Sequence, residues 1–175
     1  AKLICQLMGV HDEEFYSAIN SFKGADKRLE TILKMKDRNV FKDFAHSPSK
    51  VVATTKALKK QFLDRKLIAL LELHTFSSLN ENFINEYRDT LKSADLAILY
   101  YDPKAVLKKG LSELDHQKIK FAFNDDRLNI FSDSYKLKEF LLKQSYSNSN
   151  LLFMSSGNYA SIDLDNLINQ IRISK

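Results

Sequence analysis

Residues 67–73 read Leu-Ile-Ala-Leu-Leu-Glu-Leu, and every position except Glu72 is apolar. A continuous apolar run of this length is typical of a parallel strand that is covered on both faces. Residues 96–101, Leu-Ala-Ile-Leu-Tyr-Tyr, repeat the pattern. The intervening residues 80–93 have the apolar spacing of an amphipathic helix, which would connect the two strands. Its inward positions would be Phe83, Ile84, Tyr87 and Leu91.

The same alternation of strands and helices continues on both sides of this unit. Further strands are predicted at 128–131 and 151–154, and helices at 2–8, 12–22, 48–62, 111–123, 134–143 and 163–173. The 48–62 helix has Ser47 at its N-cap and Pro48 at its first position. Residues 29–35 alternate apolar and polar side chains, and a turn at 37–39 leads into a strand at 40–45, which predicts a hairpin. The fold class is therefore α/β, Rossmann-like and three-layered (α/β/α), mostly parallel with an antiparallel edge hairpin.

The length and composition fit one domain. The chain has 175 residues, of which 44% are hydrophobic and 28% are charged. No apolar run approaches the roughly 18 residues that cross a bilayer, the start does not resemble a signal peptide, and Cys5 is the one cysteine. These features predict a cytoplasmic protein without an internal disulfide.

The charge of the chain is basic, with a net charge of +5 and a pI near 9.1. Its lysines are spread over many segments, and no aromatic-and-basic nucleic-acid motif accompanies them. The simplest interpretation is a solvated lysine-rich surface. We therefore expect neither a nucleic-acid partner nor a membrane partner.

A ligand site is expected at the carboxyl ends of the parallel strands. The loops there are 45–48, 74–78, 102–110 and 155–161, with Asp43 and His46 at the first and His74 in the second. The N-terminus of the 48–62 helix would favour an anion. Each feature also has a structural interpretation: Asp43 as a turn cap, His46 as a packed loop residue, and 155–157 as a turn with a positive φ at Gly157.

Several nucleotide and metal motifs are missing from the sequence. There is no phosphate-binding Gly-x-x-x-x-Gly-Lys-[Ser/Thr] loop and no Gly-x-Gly-x-x-Gly fingerprint. Asp125-Asp126 has no further ligand at a fitting spacing, so no metal site is predicted. An enzyme that uses a nucleotide would therefore need another domain to hold the triphosphate.

Residues 43–48, Asp-Phe-Ala-His-Ser-Pro, resemble the Asp-Tyr-Ala-His-x-Pro motif of the Mur ligases and the related folylpolyglutamate synthases. As in that family, the motif follows a strand and opens a helix. Further stretches match the family in order and spacing: 22–30, 65–68, 72–78, 93–95 and 152–158. The resemblance covers nearly the whole chain and implies the C-terminal domain of such an enzyme. On that basis 1–24 is a helical lead-in from an absent central domain, and 25–175 is the Rossmann-like body.

Within the family the muramate branch fits best. That branch joins UDP-N-acetylmuramate to L-alanine or to the tripeptide L-alanyl-γ-D-glutamyl-meso-diaminopimelate, in peptidoglycan synthesis or murein recycling. The Phe-x-Gly at 22–24 and the Leu-Glu before His74 favour the tripeptide. The resemblance implies that ATP phosphorylates the muramate carboxylate and that the amine attacks the acyl phosphate. It also implies that ATP and Mg2+ are held mainly by the central domain. The implied partners are the two substrates and the N-terminal and central domains of the same enzyme.

The resemblance also assigns the candidate site residues. Asp43 and His46 are the candidate catalytic residues. Arg28 would offer its charge to a phosphate or carboxylate. The remaining candidate substrate- or nucleotide-binding residues are Ser47, Lys50, His74, Thr75, Ser77, Ser155, Ser156, Gly157 and Asn158.

The sequence departs from the muramate branch in two loops. Ser47 stands where that branch usually has a second histidine, and residues 74–78 lack its arginines. The Asp-Asn-Pro-Arg motif of the diaminopimelate-adding branch is also absent. Three alternatives stay open: the L-alanine-adding ligase, a non-catalytic α/β binding module, and a standalone nucleotide- or nucleic-acid-binding domain. In the ligase interpretation the isolated domain is expected to be inactive. Its incoming substrate and oligomeric state stay open, as do the ends of the parent chain and the effect of the altered 74–78 loop on activity.

Overall fold

A computed structural model describes residues 1–21 and 28–173. The described strands form one sheet in the spatial order β1-β2-β6-β3-β4-β5. Their bounds are β1 Glu30–Lys34, β2 Arg38–Asp43, β3 Lys66–Leu73, β4 Leu96–Tyr101, β5 Asn129–Phe131 and β6 Ser149–Met154. The β1–β2 pair is antiparallel and all other neighbours are parallel. The predicted fold class, with its edge hairpin, is confirmed.

Helices cover both faces of the sheet. Their bounds are α1 Lys2–Leu7, α2 Asp12–Asn20, α3 Pro48–Gln61, α4 Pro103–Lys108, α5 His116–Phe123, α6 Ser134–Leu142 and α7 Leu164–Ile173. Short 3-10 helices span Ile84–Tyr87 and Tyr159–Ser161. Among the described residues, no helix combines the length and apolar character that a membrane crossing requires.

Strand β3 explains the apolar run at 67–73. Leu67, Ala69 and Leu71 point into one core, together with residues of α3 and α5. Ile68 and Leu70 point into the opposite core, with residues of α6 and α7. Because successive side chains of a strand alternate between faces, a strand covered on both sides must be apolar at nearly every position.

The first hairpin contains a bulge that the alternating pattern did not predict. The pairing register shifts between Thr31 and Leu33. Leu29 packs against the α3/α5 core, whereas Leu33 lies in the α6/α7 core. One extra residue in a strand reverses the face of every later side chain. The expectation that 29–35 presents a single apolar face was therefore wrong.

The predicted helix at 80–93 was also wrong. This segment is a succession of turns around the short 3-10 helix, and Asp89 has a positive φ of 63°. Its backbone bonds mostly span three residues, and the Asp89 amide donates to the Phe123 carbonyl of α5 at 3.0 Å. Ile84, Tyr87 and Leu91 are nevertheless buried, as the periodicity predicted. The apolar spacing was correct, but pairing with α5 replaced the regular helix.

Several predicted boundaries need correction. The loop expected at 102–110 contains α4, which begins at Pro103 behind an Asp102 N-cap. The turn expected at 37–39 ends earlier, because β2 already begins at Arg38. Ser47 is the N-cap of α3, but its side chain makes no capping hydrogen bond. Helix α2 ends at Asn20, and the loop predicted at 23–26 lies outside the described residues.

Helices α1 and α2 bury none of their side chains. They are joined to each other by a Lys2–Asp12 ion pair at 2.8 Å and a Gln6–Asp12 hydrogen bond at 2.6 Å. Their exposed large apolar residues are Leu3, Ile4, Leu7, Tyr16 and Ile19. The lead-in is therefore a small helical pair that contributes little to the core of the body.

Candidate functional site

The four predicted loops lie at one edge of the sheet. Strands β2, β6, β3 and β4 are consecutive neighbours and all run in the same direction. Asp43 pairs with Met154 and Met154 with Leu71, so β3 and β4, which end at Leu73 and Tyr101, extend two residues beyond β2 and β6. Each strand is followed directly by one of the candidate loops, which places them side by side.

Asp43 ties the edge hairpin to the first site loop. Its Oδ2 accepts a hydrogen bond from the Leu29 amide at 2.7 Å, and its Oδ1 accepts one from the Ala45 amide at 2.6 Å. Its carbonyl accepts from the Ser155 amide at 3.1 Å. Arg28 is exposed and directly precedes Leu29, so the backbone of this cationic residue lies next to the hydrogen bond between Leu29 and Asp43. Both carboxylate oxygens therefore have a structural task.

His46 is oriented from both sides. Its Nδ1 lies 2.8 Å from the Phe44 carbonyl, so it acts as the donor, and its ring meets the Phe44 ring edge-on at 5.1 Å. Its own carbonyl accepts a hydrogen bond from the Tyr87 hydroxyl. Nε2 then carries the lone pair of the neutral ring, which suits an acceptor or a proton carrier. Ser47 is half-buried and Lys50 is exposed, both at the start of α3.

Glu72 is a buried carboxylate at this edge, 2% exposed, that the candidate residues did not include. One oxygen, Oε2, accepts from the Ser155 hydroxyl, and Oε1 accepts from the Tyr159 amide at 3.0 Å. His74 Nδ1 lies 4.0 Å from Oε1. The signal that could have identified it is its position as the one charged residue in the apolar run 67–73.

Gly157 lies tightly against this carboxylate. An added Cβ would lie 2.7 Å from both Cγ and Nδ1 of His74, and 2.8 Å from Glu72 Oε2. Its amide donates to the Ser155 hydroxyl at 2.7 Å. The positive φ considered for Gly157 is wrong, because Tyr159 and Ala160 are the loop residues with positive φ, at 52° and 51°. Close approach to His74, and not backbone conformation, requires glycine here.

The hydroxyls of the 74–78 loop bind mainly to one another. Thr75 Oγ1 donates to Ser78 Oγ at 2.9 Å and lies 3.2 Å from Ser77 Oγ. The Ser78 amide donates to Thr75 Oγ1 at 3.1 Å. Phe76 projects from the loop and is exposed. The loop is therefore shaped by its own side chains and presents an aromatic ring.

An open groove of about 630 Å3 borders the last loop at this edge. Its lining includes Asn158 and Ala160 of that loop, Asp102 and Lys104 at the start of α4, and Tyr100 with Ser132, Asp133 and Ser134. Burial raises the pKa of Tyr100 to about 12, and the carboxylates of Asp102, Glu72 and Asp133 add to the rise. The Ser156 hydroxyl is buried without a hydrogen-bond partner in the described structure. The groove therefore has a negative character.

The candidate residues thus group into three neighbouring sets. The first set lies around the start of α3 and contains Arg28, Asp43, His46, Ser47 and Lys50. The second set follows β3 and contains His74, Thr75 and Ser77. The third set follows β6 and spans Ser155 to Asn158. Across 1–21 and 28–173, no three His, Cys, Asp or Glu side chains are grouped so that they could hold a metal ion.

A three-layer α/β domain with polar loops gathered at the carboxyl edge of its parallel strands belongs to the class of ligand-binding domains of doubly wound sheets. No family model matches the chain. It is 30% identical over 116 residues to a UDP-N-acetylmuramate–L-alanine ligase from Caldicellulosiruptor bescii, covering 66% of this chain and 25% of that protein. It is 25% identical over 170 residues to the ligase of the same name from Lactococcus lactis, covering 96% of this chain and 37% of that protein.

Solved structures show the same fold. The UDP-N-acetylmuramate-alanine ligase of Thermotoga maritima matches 99% of this chain with a TM-score of 0.72 at 15% identity, over 36% of its own length. The murein peptide ligase of Psychrobacter arcticus matches 91% of this chain with a TM-score of 0.66 at 21% identity, over 33% of its own length. In sequence the chain is similar to Mur ligases, and its fold fits the C-terminal domain of that family. It spans only about a quarter to a third of the relatives' length.

Proposed function

We propose that this chain is the substrate-binding C-terminal domain of an ATP-dependent amide ligase that acts on UDP-N-acetylmuramate in peptidoglycan synthesis or recycling. The observation that carries the proposal is the 43–48 segment. It resembles the family motif, ends β2 beside the edge strand and opens a helix at the edge where three other polar loops meet. A helix N-terminus at such an edge suits a phosphate or carboxylate.

The proposed reaction joins the muramate carboxylate to an amine. ATP gives its terminal phosphoryl group to the carboxylate, the amine attacks the acyl phosphate, and phosphate leaves as the amide forms. The described residues group no metal ligands, so Mg2+ and most of the triphosphate are assigned to another domain. This chain would bring Arg28, His46 and the incoming amine to the nucleotide when the domains close.

We infer that the incoming substrate is the tripeptide L-alanyl-γ-D-glutamyl-meso-diaminopimelate. The groove of about 630 Å3 has the size that commonly holds drug-sized ligands, of about 300–1,000 Å3, and exceeds what one alanine fills. Its lining offers Asp102 and Asp133 to the two ammonium groups of such a peptide and Lys104 to its carboxylates. The curated relatives are named for L-alanine, so addition of L-alanine is the second candidate.

The first experiment is an NMR titration of the 175-residue chain with the tripeptide and, separately, with L-alanine. We expect the tripeptide to shift the amide signals of Asp102, Lys104 and residues 156–160, and Asn158→Ala to weaken that response. Asn169→Ala is the matched control, because Asn169 is an exposed asparagine on α7 away from the groove. Shifts with L-alanine alone would move the assignment to the L-alanine-adding ligase.

A non-catalytic binding module is the other candidate function, since residues 74–78 lack the arginines of the muramate branch. An activity assay of a longer polypeptide that carries the other domains distinguishes the two functions. Amide formation from ATP, UDP-N-acetylmuramate and tripeptide supports the ligase. Tripeptide binding without turnover supports the binding module.

We also propose that residues 1–24 belong to the central domain and that the body begins after them. Helices α1 and α2 bury no side chain, and large apolar residues on them are exposed. Deleting residues 1–21 should therefore change the free energy of unfolding of the body by less than about 0.5 kcal/mol. Urea denaturation of both proteins measures this, and a loss of several kcal/mol would show that the lead-in is part of the body.

A further inference from the structure

Tyr87 joins the connection between β3 and β4 to the His46 loop, residues 45–48. It belongs to the 3-10 helix in that connection, and its hydroxyl donates a hydrogen bond to the backbone carbonyl of His46. One buried hydroxyl therefore links two segments that are 41 residues apart in sequence.

The ring that carries this hydroxyl is rigidly mounted. Tyr87 is 1% exposed. Its ring stacks on Phe123 of α5, with centroids 5.3 Å apart and planes 15° apart, and meets Phe83 edge-on at 6.1 Å. The Thr90 hydroxyl donates to the Tyr87 carbonyl at 2.7 Å. Because the ring is packed on both sides, the position of its hydroxyl is set by α5 and the turns at 83–90.

The contact bears on His46 in a specific way. The ring of His46 is held through Nδ1 by the Phe44 carbonyl, and its backbone is held through its carbonyl by Tyr87. Burial raises the pKa of Tyr87 to about 12, so the hydroxyl keeps its proton and stays a donor at neutral pH. The direction in which Nε2 of His46 points therefore depends on both contacts.

We propose that Tyr87 is a positioning residue that holds the His46 loop against the β3–β4 connection in the arrangement that ligand binding requires. This inference rests on the proposed function, in which the His46 loop faces the nucleotide. Tyr87 itself touches no reacting atom, because its hydroxyl is buried and donates to the His46 carbonyl. It acts through His46.

The test compares Tyr87→Phe with Tyr146→Phe in the 175-residue chain. Tyr146 is the matched control: it is equally buried, and its hydroxyl donates to the Leu141 carbonyl at 2.7 Å near the amino end of β6, the opposite edge of the sheet. Each variant loses one buried phenol hydroxyl bound to a carbonyl. The readouts are amide hydrogen exchange at residues 45–47 and the 15N signals of the His46 ring.

We expect Tyr87→Phe to accelerate exchange in the His46 loop at least five-fold and to shift the His46 ring signals, while Tyr146→Phe changes neither. Equal loop exchange and unchanged His46 signals in both variants would overturn the proposal. If Tyr87→Phe does not fold, NMR spectra of the wild type provide the test. The proposal requires that the Tyr87 hydroxyl proton exchanges slowly with water and lies near His46. These readouts use no ligand. Suppose that exchange in the His46 loop accelerates in Tyr87→Phe, but that neither nucleotide nor tripeptide shifts the signals of this loop in the wild type. That result would contradict the proposed function and leave the role of Tyr87 intact.

Discussion

Among single residues, Glu72 is one whose side chain links the ends of two neighbouring strands at this edge of the sheet. Its carboxylate accepts hydrogen bonds from the Ser155 hydroxyl and the Tyr159 amide, so it fixes the loop after β6 to the end of β3. A buried donor that loses its acceptor costs about 1–3 kcal/mol. The stability of this edge therefore depends on one acidic side chain inside an otherwise apolar strand.

We expect Glu72→Ala to lower the free energy of unfolding by about 2–4 kcal/mol, because two buried donors lose their acceptor and a cavity forms. Urea denaturation followed by circular dichroism measures the loss. Glu139→Ala, at an exposed glutamate on α6, should stay within about 0.5 kcal/mol. Equal effects of the two substitutions would contradict the role assigned to Glu72.

Gly157→Ala tests the close contact with His74. The new methyl group would stand 2.7 Å from the imidazole, so we expect a loss of about 1–3 kcal/mol and displaced His74 ring signals in NMR spectra. Gly110→Ala is the control, since Gly110 has a positive φ of 67° but no atom near an added Cβ. It should cost about 1–2 kcal/mol from backbone strain and leave His74 unchanged. Unmoved His74 signals in Gly157→Ala would argue against the contact.

At the level of elements, Asp95 anchors the amino ends of β3 and β4. Its Oδ2 accepts from the Leu67 amide at 2.7 Å and from Lys59 Nζ of α3 at 2.6 Å, and its amide donates to the Leu67 carbonyl at 2.9 Å. Partial burial acts to raise the pKa of Asp95, but the hydrogen bonds from Lys59 and the Leu67 amide outweigh it, and the net pKa lies below the ordinary value.

A lowered pKa means that the folded state favours the carboxylate, so this stabilisation is complete above the unfolded pKa and is lost as the pH falls through the folded value. We expect Asp95→Asn to cost about 0.5–1 kcal/mol at pH 6, since the pair is partly solvated. The difference from wild type should shrink below about pH 4. Denaturation curves at pH 6, 4 and 3 measure it, with exposed Asp126→Asn as the control. A difference that grows on acidification would refute the assignment.

The elements also show where sequence reasoning succeeded and where it failed. The apolar runs at 67–73 and 96–101 identified buried strands, because coverage on both faces leaves no other pattern. The spacing of Ile84, Tyr87 and Leu91 identified buried positions but not their backbone conformation, which depends on the Asp89–Phe123 contact across the chain. The same limit hid the bulge before Leu33 and the bond from Tyr87 to His46, since both arise from neighbours distant in sequence.

For the whole molecule, the site could be predicted as far as topology decides it. Parallel strands bring their carboxyl ends together, so the loops after β2, β3, β4 and β6 had to meet at one edge. The strand order was not predictable from periodicity. The contact between Asp43 and Ser155 could therefore not be predicted either. The contact between Glu72 and Ser155 needed that order as well.

We predict that the isolated chain lacks ligase activity, because the proposed reaction needs a triphosphate-binding domain that closes onto this one. Phosphate release from ATP, measured with UDP-N-acetylmuramate, Mg2+ and either L-alanine or tripeptide, should equal the protein-free rate. A preparation of Asp43→Asn serves as the background control for contaminating enzymes. Turnover above that background would contradict the expectation.

The position of β6 has a consequence for how this protein is made. The last of the described strands lies inside the sheet, with Arg38 paired to Ser149 on one side and Lys66 paired to the same residue on the other. During synthesis the β1–β2 hairpin and the β3–β4–β5 group therefore emerge as separate pieces with open edges, and they cannot join until residues 149–154 have left the ribosome. Open strand edges invite pairing with other chains. A product that stops shortly before residue 149 would accordingly be a substrate for chaperones and proteases, while one completed through residue 154 closes its own sheet.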